Sequence, residues 1–419
     1  MSMSLSAIVD REELGRLGGL LRVAKSDERH VARGKRLLLG LFVLALAGAV
    51  AALVALLRGH HVMGTTSEIS WGVLIATYVF FVVSSTGLCL VSSLGHVFGF
   101  KVFEPIAKKA IFLALVTLLV GFTVIATELE RPFRLMKYAI FSPNPAAPIW
   151  WMGTLYGVYM VLIGAELYYL FAEDHRRAKQ FGLASVIAAV AAHSNLGAVF
   201  GLSHSRPYWY GPLLPVYFIA SALVCGAALL ILIVTVGDYF GNDKKLRPEH
   251  APLLDALRKL LALFITIIAF FTIWKTITGV AGQHYHKLEV TLASLSGPLF
   301  VSFWLFEVVL GMLVPLVLLL GPWRRSWHAV GLAAFLPMLS VFVMRYNFVV
   351  SGQMFSLKPV TGHGGEQLSY FPPFKGNVEG FLPYTPSWVE VLIVAGAIAA
   401  ATLGFVVGSR VLALESKEA

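Results

Sequence analysis

Long apolar runs separated by short polar and basic segments are the dominant pattern of this 419-residue chain. Each run is about 20 residues long, the length a helix needs to cross the ~30 Å hydrocarbon core of a bilayer at roughly 1.5 Å per residue. Ten can be drawn, over residues 37–57, 71–97, 107–127, 148–171, 181–202, 212–239, 257–278, 297–320, 330–347 and 389–412. Lipid leaves no partner for an unpaired backbone amide, so such runs are read as membrane-spanning helices. Two intervening segments are longer than turns. Residues 130–147 are predicted to hold a short interfacial helix ending at Pro143-Asn144-Pro145. Residues 349–388 are rich in Gly, Pro, Tyr and Phe and read as an irregular ordered cap, the kind of loop that carries function or meets a partner. The organisation expected is a basic, partly helical segment over 1–36, a membrane domain over 37–412 and a short tail over 413–419. Neither an internal repeat nor a large soluble domain is visible.

Composition agrees. The chain is 58% hydrophobic and 13% charged, with a mean hydropathy of +0.77. The net charge of +10 points to basic loops on one side of a membrane rather than to nucleic acid. An even number of spans puts both chain ends on one side. A cytoplasmic N-terminus places about 23 Lys and Arg on that side and about 8 on the other, the asymmetry of the positive-inside rule. Lys108-Lys109, Arg176-Arg177, Lys244-Lys245 and Arg324-Arg325 then all face inward. The expectation is a multi-pass protein of the bacterial inner membrane with no cleavable signal peptide. Cys89 and Cys225 lie inside apolar runs, which excludes a loop disulfide and a cysteine-ligated cluster.

Against this background the ionisable residues inside the runs stand out. A charge at the bilayer centre costs roughly 2.5–3.5 kcal/mol on insertion scales. Five such residues gather toward the outer ends or the middle of their runs: Glu128, His193, Lys275, Glu307 and Arg345. A thinner set, Glu166, Asp238 and His96, lies toward the inner ends.

The segment AHSNLGAVFGLSHSRPYWYGPLLPVYFIASA, residues 192–222, resembles the NrfD/PsrC superfamily, the quinone-reactive membrane subunits of polysulfide-reductase-like respiratory complexes. The similarity is greatest to its ten-helix, HybB/DsrP-like branch. SWGVLIATYVFF (70–81), TELERPFR (127–134, with Glu128 at the acidic position), FWLFEVVLGMLVP (303–315), MRYNFVVSGQ (344–353) and YTPSWVEVL (384–392) fit in order and spacing. The resemblance runs from about residue 65 to the C-terminus. It departs at Trp150-Trp151, where relatives often have Trp-Asp, and at Lys275, where they often have an acid.

The resemblance implies an all-α membrane protein with two four-helix bundles and two extra helices. It also implies a quinone substrate, menaquinone or ubiquinone. A quinone gains or loses two protons with two electrons, so each carbonyl oxygen needs a hydrogen-bonding neighbour. His193 suits one end, because imidazole donates to a carbonyl and relays protons near neutral pH; it could equally be bonded to a neighbouring helix. Glu128, Arg345 and Asn347 complete the expected quinone set. Glu128 could instead pair with Arg131 or Arg134, and Arg345 with Asn347 could anchor a helix at the interface. Glu307, paired with Lys275 or Arg345, is expected in proton transfer, continued inward by Glu166, Asp238 and His96. Ordinary helix-end polarity is the competing reading of those last three. Residues such as Trp150, Trp209 and Tyr210 fit an aromatic belt.

The chain brings no visible electron carrier. His96 and His193 lie near opposite faces, unlike paired haem ligands, and flavin and nucleotide motifs are missing. Neither haem nor flavin is expected on this chain. Electrons would pass to or from a docked partner: a ferredoxin-like iron–sulfur subunit on the periplasmic face with its catalytic oxidoreductase subunit, or a multihaem cytochrome. A secondary transporter is the alternative class, but it would show broken helices and internal repeats. A mere structural anchor would not keep Glu307.

Overall fold

The computed structural model describes residues 28–129, 131–282, 287–354, 360–361, 367–368, 382, 384–412 and 414. The expected N-terminal segment, the cap and the tail lie largely outside these residues. The described residues are almost all helical, with short 3-10 turns and one two-residue antiparallel pair, β1 Val360–Thr361 and β2 Gln367–Leu368. The helices are α1 Glu28–Arg58, α2 Val73–His96, α3 Ala107–Glu128, α4 Pro132–Phe141, α5 Pro148–Phe171, α6 His175–Gly201, α7 Leu214–Gly241, α8 His250–Ala281, α9 Lys287–Ser296, α10 Ser302–Leu320, α11 Trp327–Ser351 and α12 Trp388–Val411. Ten are long and apolar enough to cross a membrane, all but α4 and α9. With the two chain ends on one side, that side is called the terminal face and the other the distal face.

Local signals explain many of the ends. Asp174 caps α6 by accepting from the Arg177 amide, and Ser326 caps α11 through the Ala329 amide. Ser387 and Glu390 form a capping box at α12. Proline opens α5 and α7, where a missing N–H costs nothing. The amphipathic α4 falls where the sequence predicts a surface helix, with Phe133, Ile140 and Phe141 exposed. The sequence does not reveal α9, a short helix at the distal face. Because of α9 the eighth span begins at Ser302 rather than near residue 297.

Within α10, residues Ser302–Leu313 form a π-helix. Pro315 follows, and it can neither bond back to residue 311 nor sit easily against that carbonyl. A wider helix relieves this conflict. Its buried positions are Phe303, Glu307, Gly311 and Met312.

Helices α2, α3, α5 and α6 make one four-helix bundle, and α7, α8, α10 and α11 make a second. The outlying α1 and α12 pair with each other and lean on α3. The arrangement is two bundles plus two helices, as the resemblance implies. Helix α7 is the shared wall, packing on α2 and α6 as well as on α8 and α11. Its approach to α2 is a backbone crossing. A Cβ on Gly226 would collide with the Gly87 carbonyl, and one on Gly87 would strike the Ala222 carbonyl. Gly48 and Gly396 make the same contact between α1 and α12. Small residues at such crossings let helices pack where lipid supplies no hydrophobic drive.

Overpacking of this kind typically costs about 1–3 kcal/mol. Gly226→Val is expected to lower the thermal midpoint of the detergent-solubilised protein, read by a thiol-reactive dye that reaches the buried Cys89 and Cys225 only on unfolding. An unchanged midpoint would show that the crossing is loose.

Candidate functional site

Between the two bundles, in the distal half, lies a polar group fixed by four helices. Tyr156 comes from α5, His193 from α6, Phe218 and Ser221 from α7, and Arg345 from α11. All four polar members are fully buried. The Phe218 carbonyl can only accept, so His193 Nε2, 3.1 Å away, carries the ring hydrogen. His193 Nδ1 then accepts from the Tyr156 hydroxyl at 2.9 Å. The network fixes the neutral tautomer and occupies both ring nitrogens. Arg345 donates through Nη2 to the Ser221 hydroxyl, and its guanidinium lies 3.9 Å from the centre of the Phe218 ring. Its Nε and Nη1 have no hydrogen-bond partner among the described residues. A buried guanidinium with two unsatisfied nitrogens is costly, so this site lacks an acceptor.

A second group lines a small cavity in the second bundle, bounded by α8, α9, α10 and α11. Tyr208, Lys275, Thr291, Glu307, Asn347 and Phe348 are among its walls, and its water-accessible space is about 20 Å³, room for a water molecule. Asn347 donates to Glu307 Oε1 at 2.7 Å, while Asn347 Oδ1 has no partner among the described residues. Glu307 therefore bonds to an amide, and Lys275 and Arg345 act on it only through space. Because the span starts at Ser302, Glu307 falls in its first third, more distal than the mid-run position it has in the sequence. Lys275 faces the rings of Tyr208 and Tyr217 at 6.0 and 5.7 Å. Just outside the span, burial and the neighbouring Lys275 hold the Lys287 ammonium below its ordinary pKa. Tyr217 also bonds to Met344 of α11, so it lies between the cavity and the Arg345 helix.

A third group stands apart, where α3 meets α12. Glu128 is 4% exposed, and neither of its carboxylate oxygens has a partner among the described residues. Arg131 and Arg134 are exposed and do not pair with it. Its electrostatic neighbour is Glu390, which goes unnoticed in the sequence because it resembles an ordinary capping glutamate. Glu390 is fully buried and accepts from the Gly64 amide at 2.7 Å, the Ser387 amide at 2.8 Å and the Tyr384 hydroxyl at 2.6 Å. Burial and the Glu390 carboxylate push the Tyr384 hydroxyl above its usual pKa, so it stays a donor. Gln353 goes unnoticed as well: it bonds to both the amide and the carbonyl of Trp71, joining α11 to the start of α2. Trp71 and Trp209 stack at 5.3 Å beside Phe200. Trp209 is thus a buried packing residue rather than a member of an aromatic belt.

The inner set divides between the bundles. His96 Nε2 and Glu166 Oε1 meet at 2.6 Å in the first. Asp238 meets His250 Nδ1 at 2.8 Å and Arg247 Nε at 3.4 Å in the second. Asp238 so partnered fits helix-end polarity. Among the described residues, no group of three or more His, Cys, Asp or Glu gathers as a metal site.

Comparison with known proteins follows this geometry. The sequence model of the family described as Polysulphide reductase, NrfD matches residues 61–357. The C subunit of selenate reductase from Mesobacillus selenatarsenatis is 27% identical over 346 residues, covering 73% of this chain and 79% of that protein. The Hdr-like menaquinol oxidoreductase integral membrane subunit of Archaeoglobus fulgidus is 26% identical over 356 residues, 84% of this chain and 86% of that one. The membrane-family relative from Wolinella succinogenes, a polysulfide reductase polypeptide, is 24% identical over 272 residues, 60% and 83%.

The two distal carboxylates should behave oppositely when replaced. Glu390→Leu strands three donors, each costing about 1–3 kcal/mol when buried unpaired, and is expected to lower the thermal midpoint clearly. Glu128→Gln removes a buried unpartnered carboxylate and is expected to leave the midpoint unchanged or raise it. The same thermal assay reads both, and equal losses would contradict the assignment.

Proposed function

The chain belongs to the polysulphide reductase NrfD family, and from that premise we propose that it is the quinone-reactive membrane subunit of a respiratory oxidoreductase complex. It exchanges electrons between the quinone pool and a redox partner on the distal face. The observation that carries this reading is the buried Arg345 with two unsatisfied nitrogens beside the His193–Tyr156 pair. Such a guanidinium calls for an acceptor at a depth that a lipid-soluble molecule can reach. A quinone carbonyl is such an acceptor, and the aromatic surround of Phe218, Phe200 and Phe348 suits a flat ring.

The quinone supplies two-electron redox chemistry; this chain's residues bind, orient and move protons. Arg345 donates to an oxygen and balances negative charge developing on it. His193 has both nitrogens engaged, so it acts through Tyr156: the phenol passes its hydrogen to His193 Nδ1 as its oxygen accepts a proton from the quinol side, and both transfers reverse when a proton is delivered. Glu307 and Lys275 in the adjoining cavity, and Glu128 near the distal surface, are assigned to proton exchange on that side. The name of the Archaeoglobus relative includes menaquinol, which favours menaquinone over ubiquinone.

The terminal face carries the excess of Lys and Arg and is assigned to the cytoplasm, so the distal face is periplasmic. With no electron carrier expected on this chain, the partner is a ferredoxin-like iron–sulfur subunit with its catalytic subunit, or a multihaem cytochrome. Purification of the intact complex should therefore yield iron–sulfur or haem protein together with bound quinone. A complex that purifies without either would contradict the reading.

General acid–base groups contribute about 100-fold or more to such steps. His193→Ala is expected to lower quinol-linked turnover of the assembled complex by about that factor, and Glu307→Gln to slow turnover or alter proton stoichiometry. Wild-type turnover in His193→Ala would remove that residue from the site. Wild-type rate and stoichiometry in Glu307→Gln would do the same for the cavity.

A further inference from the structure

The outlying pair α1 and α12 ends at a basic corner that the assignments above leave unused. The two helices run antiparallel and touch at Gly48 and Gly396. Twelve residues from that crossing toward the terminal face, about 18 Å, lead to Arg36 on α1 and Gly408 on α12. Gly408 in turn abuts α3, since a Cβ there would strike the Phe112 ring. Phe405 stacks on the same ring at 6.2 Å. Lys108 lies one turn from Phe112 on the same face of α3. Arg410 lies two residues beyond Gly408, in the last turn of α12. Lys35, Arg36, Lys108 and Arg410 therefore converge where three helix ends meet at the terminal face.

Elsewhere on that face several cations have carboxylate partners. Arg247 pairs with Asp238, Arg258 and Lys259 with Asp255, and Arg177 with Asp174. None of the four corner cations forms an ion pair with a described residue. The acids of α3 and α12, Glu128 and Glu390, lie at the distal ends of those helices. Lys108 Nζ stands 5.9 Å from the centre of the Phe171 ring, and Lys35, Arg36 and Arg410 are exposed. Like charges so gathered repel one another, and an anion relieves them. The corner also adjoins lipid, because Leu37, Leu39 and Phe42 of α1 are exposed. A fitting occupant presents negative charge at the membrane surface and apolar chains beside α1.

We propose that this corner seats the phosphate headgroup of an anionic phospholipid, which ties the α1–α12 pair to α3. Arg36 and Arg410 present planar forks that match phosphate oxygens, while Lys35 and Lys108 supply point charges. The acyl chains lie along the exposed side of α1. A zwitterionic lipid brings its own cation into a site that already has four, so the corner selects net negative charge. Free phosphate lacks the apolar part. Neither quinone nor a redox partner enters this site.

The test counts phospholipid retained by the full-length protein after detergent purification. It also reads the thermal midpoint in nanodiscs of phosphatidylcholine, with or without phosphatidylglycerol or cardiolipin. One variant combines Lys35→Gln, Arg36→Gln, Lys108→Gln and Arg410→Gln. A comparison variant removes the same charge elsewhere on the terminal face, through Arg176→Gln, Lys179→Gln, Lys245→Gln and Arg324→Gln. Wild type and the comparison variant are expected to retain anionic phospholipid and to melt higher in the anionic bilayer. A basic residue beside an anionic surface contributes roughly fivefold in affinity, so the corner variant should retain at least about tenfold less. It should also lose the midpoint rise while matching wild type in phosphatidylcholine. If the fourfold variant fails to fold, Lys108→Gln with Arg410→Gln should show part of both losses. Equal retention in wild type and the corner variant would overturn the proposal. Equal losses in the two variants, the mark of general surface charge, would do so as well. An equal midpoint rise from inorganic phosphate in phosphatidylcholine would assign the corner to a free anion instead of a lipid. Cross-linking of Lys35 or Lys108 to an acidic polypeptide in the intact complex would assign it to a protein, again against the proposal.

Discussion

A fully buried guanidinium sets the terms for the rest of the structure. Arg345 has one protein acceptor, Ser221, and one aromatic face, Phe218, and both come from α7. Desolvating a cation costs far more than one neutral hydrogen bond and a cation–π contact return. The helices around it therefore have to be held together by something other than that charge. The Gly87–Gly226 crossing of α2 and α7 supplies such a hold through backbone contact alone. Helix α7 then becomes a fixed wall with His193 bonded to one side and Arg345 to the other. The unsatisfied nitrogens of Arg345 are held in place by the packing around them, and they still call for an acceptor.

Much of the fold is readable from the sequence because the bilayer simplifies the problem. Only helices of fixed minimum length satisfy their own amides in lipid, so hydropathy locates all ten spans. The differences arise where another rule takes over. The eighth span begins later than its apolar run because the first residues of that run, 297–299, form the turn between α9 and α10. Glu307 lies more distal than expected for the same reason, and the π-helix upstream of Pro315 sets its rotation.

The site is legible in its residue types and much less so in its partnerships. His193, Arg345, Glu307 and Lys275 are conspicuous as ionisable groups in apolar runs. What they touch is invisible, since each bond crosses between helices distant in sequence. Glu307 pairs with Asn347, not with a cation. Glu128 stands away from the His193 group, beside Glu390, a residue that looks like routine capping when only its local sequence is seen. Tyr156 escapes notice because tyrosine in a membrane span reads as interfacial until its depth and neighbours are known.

The division of polar groups between bundles bears on how such a protein couples charge to chemistry. In the first bundle His96 and Glu166 meet near the terminal face, and in the second Asp238 is held there by His250 and Arg247. The Lys275–Glu307 cavity lies in the distal half of the second bundle. Arg345 and Tyr217 lie between the His193 group and that cavity. An uninterrupted polar column through one bundle would leak protons down any gradient. The free donors of Arg345 lie between the His193 group and the cavity, so an acceptor bound there would complete the site.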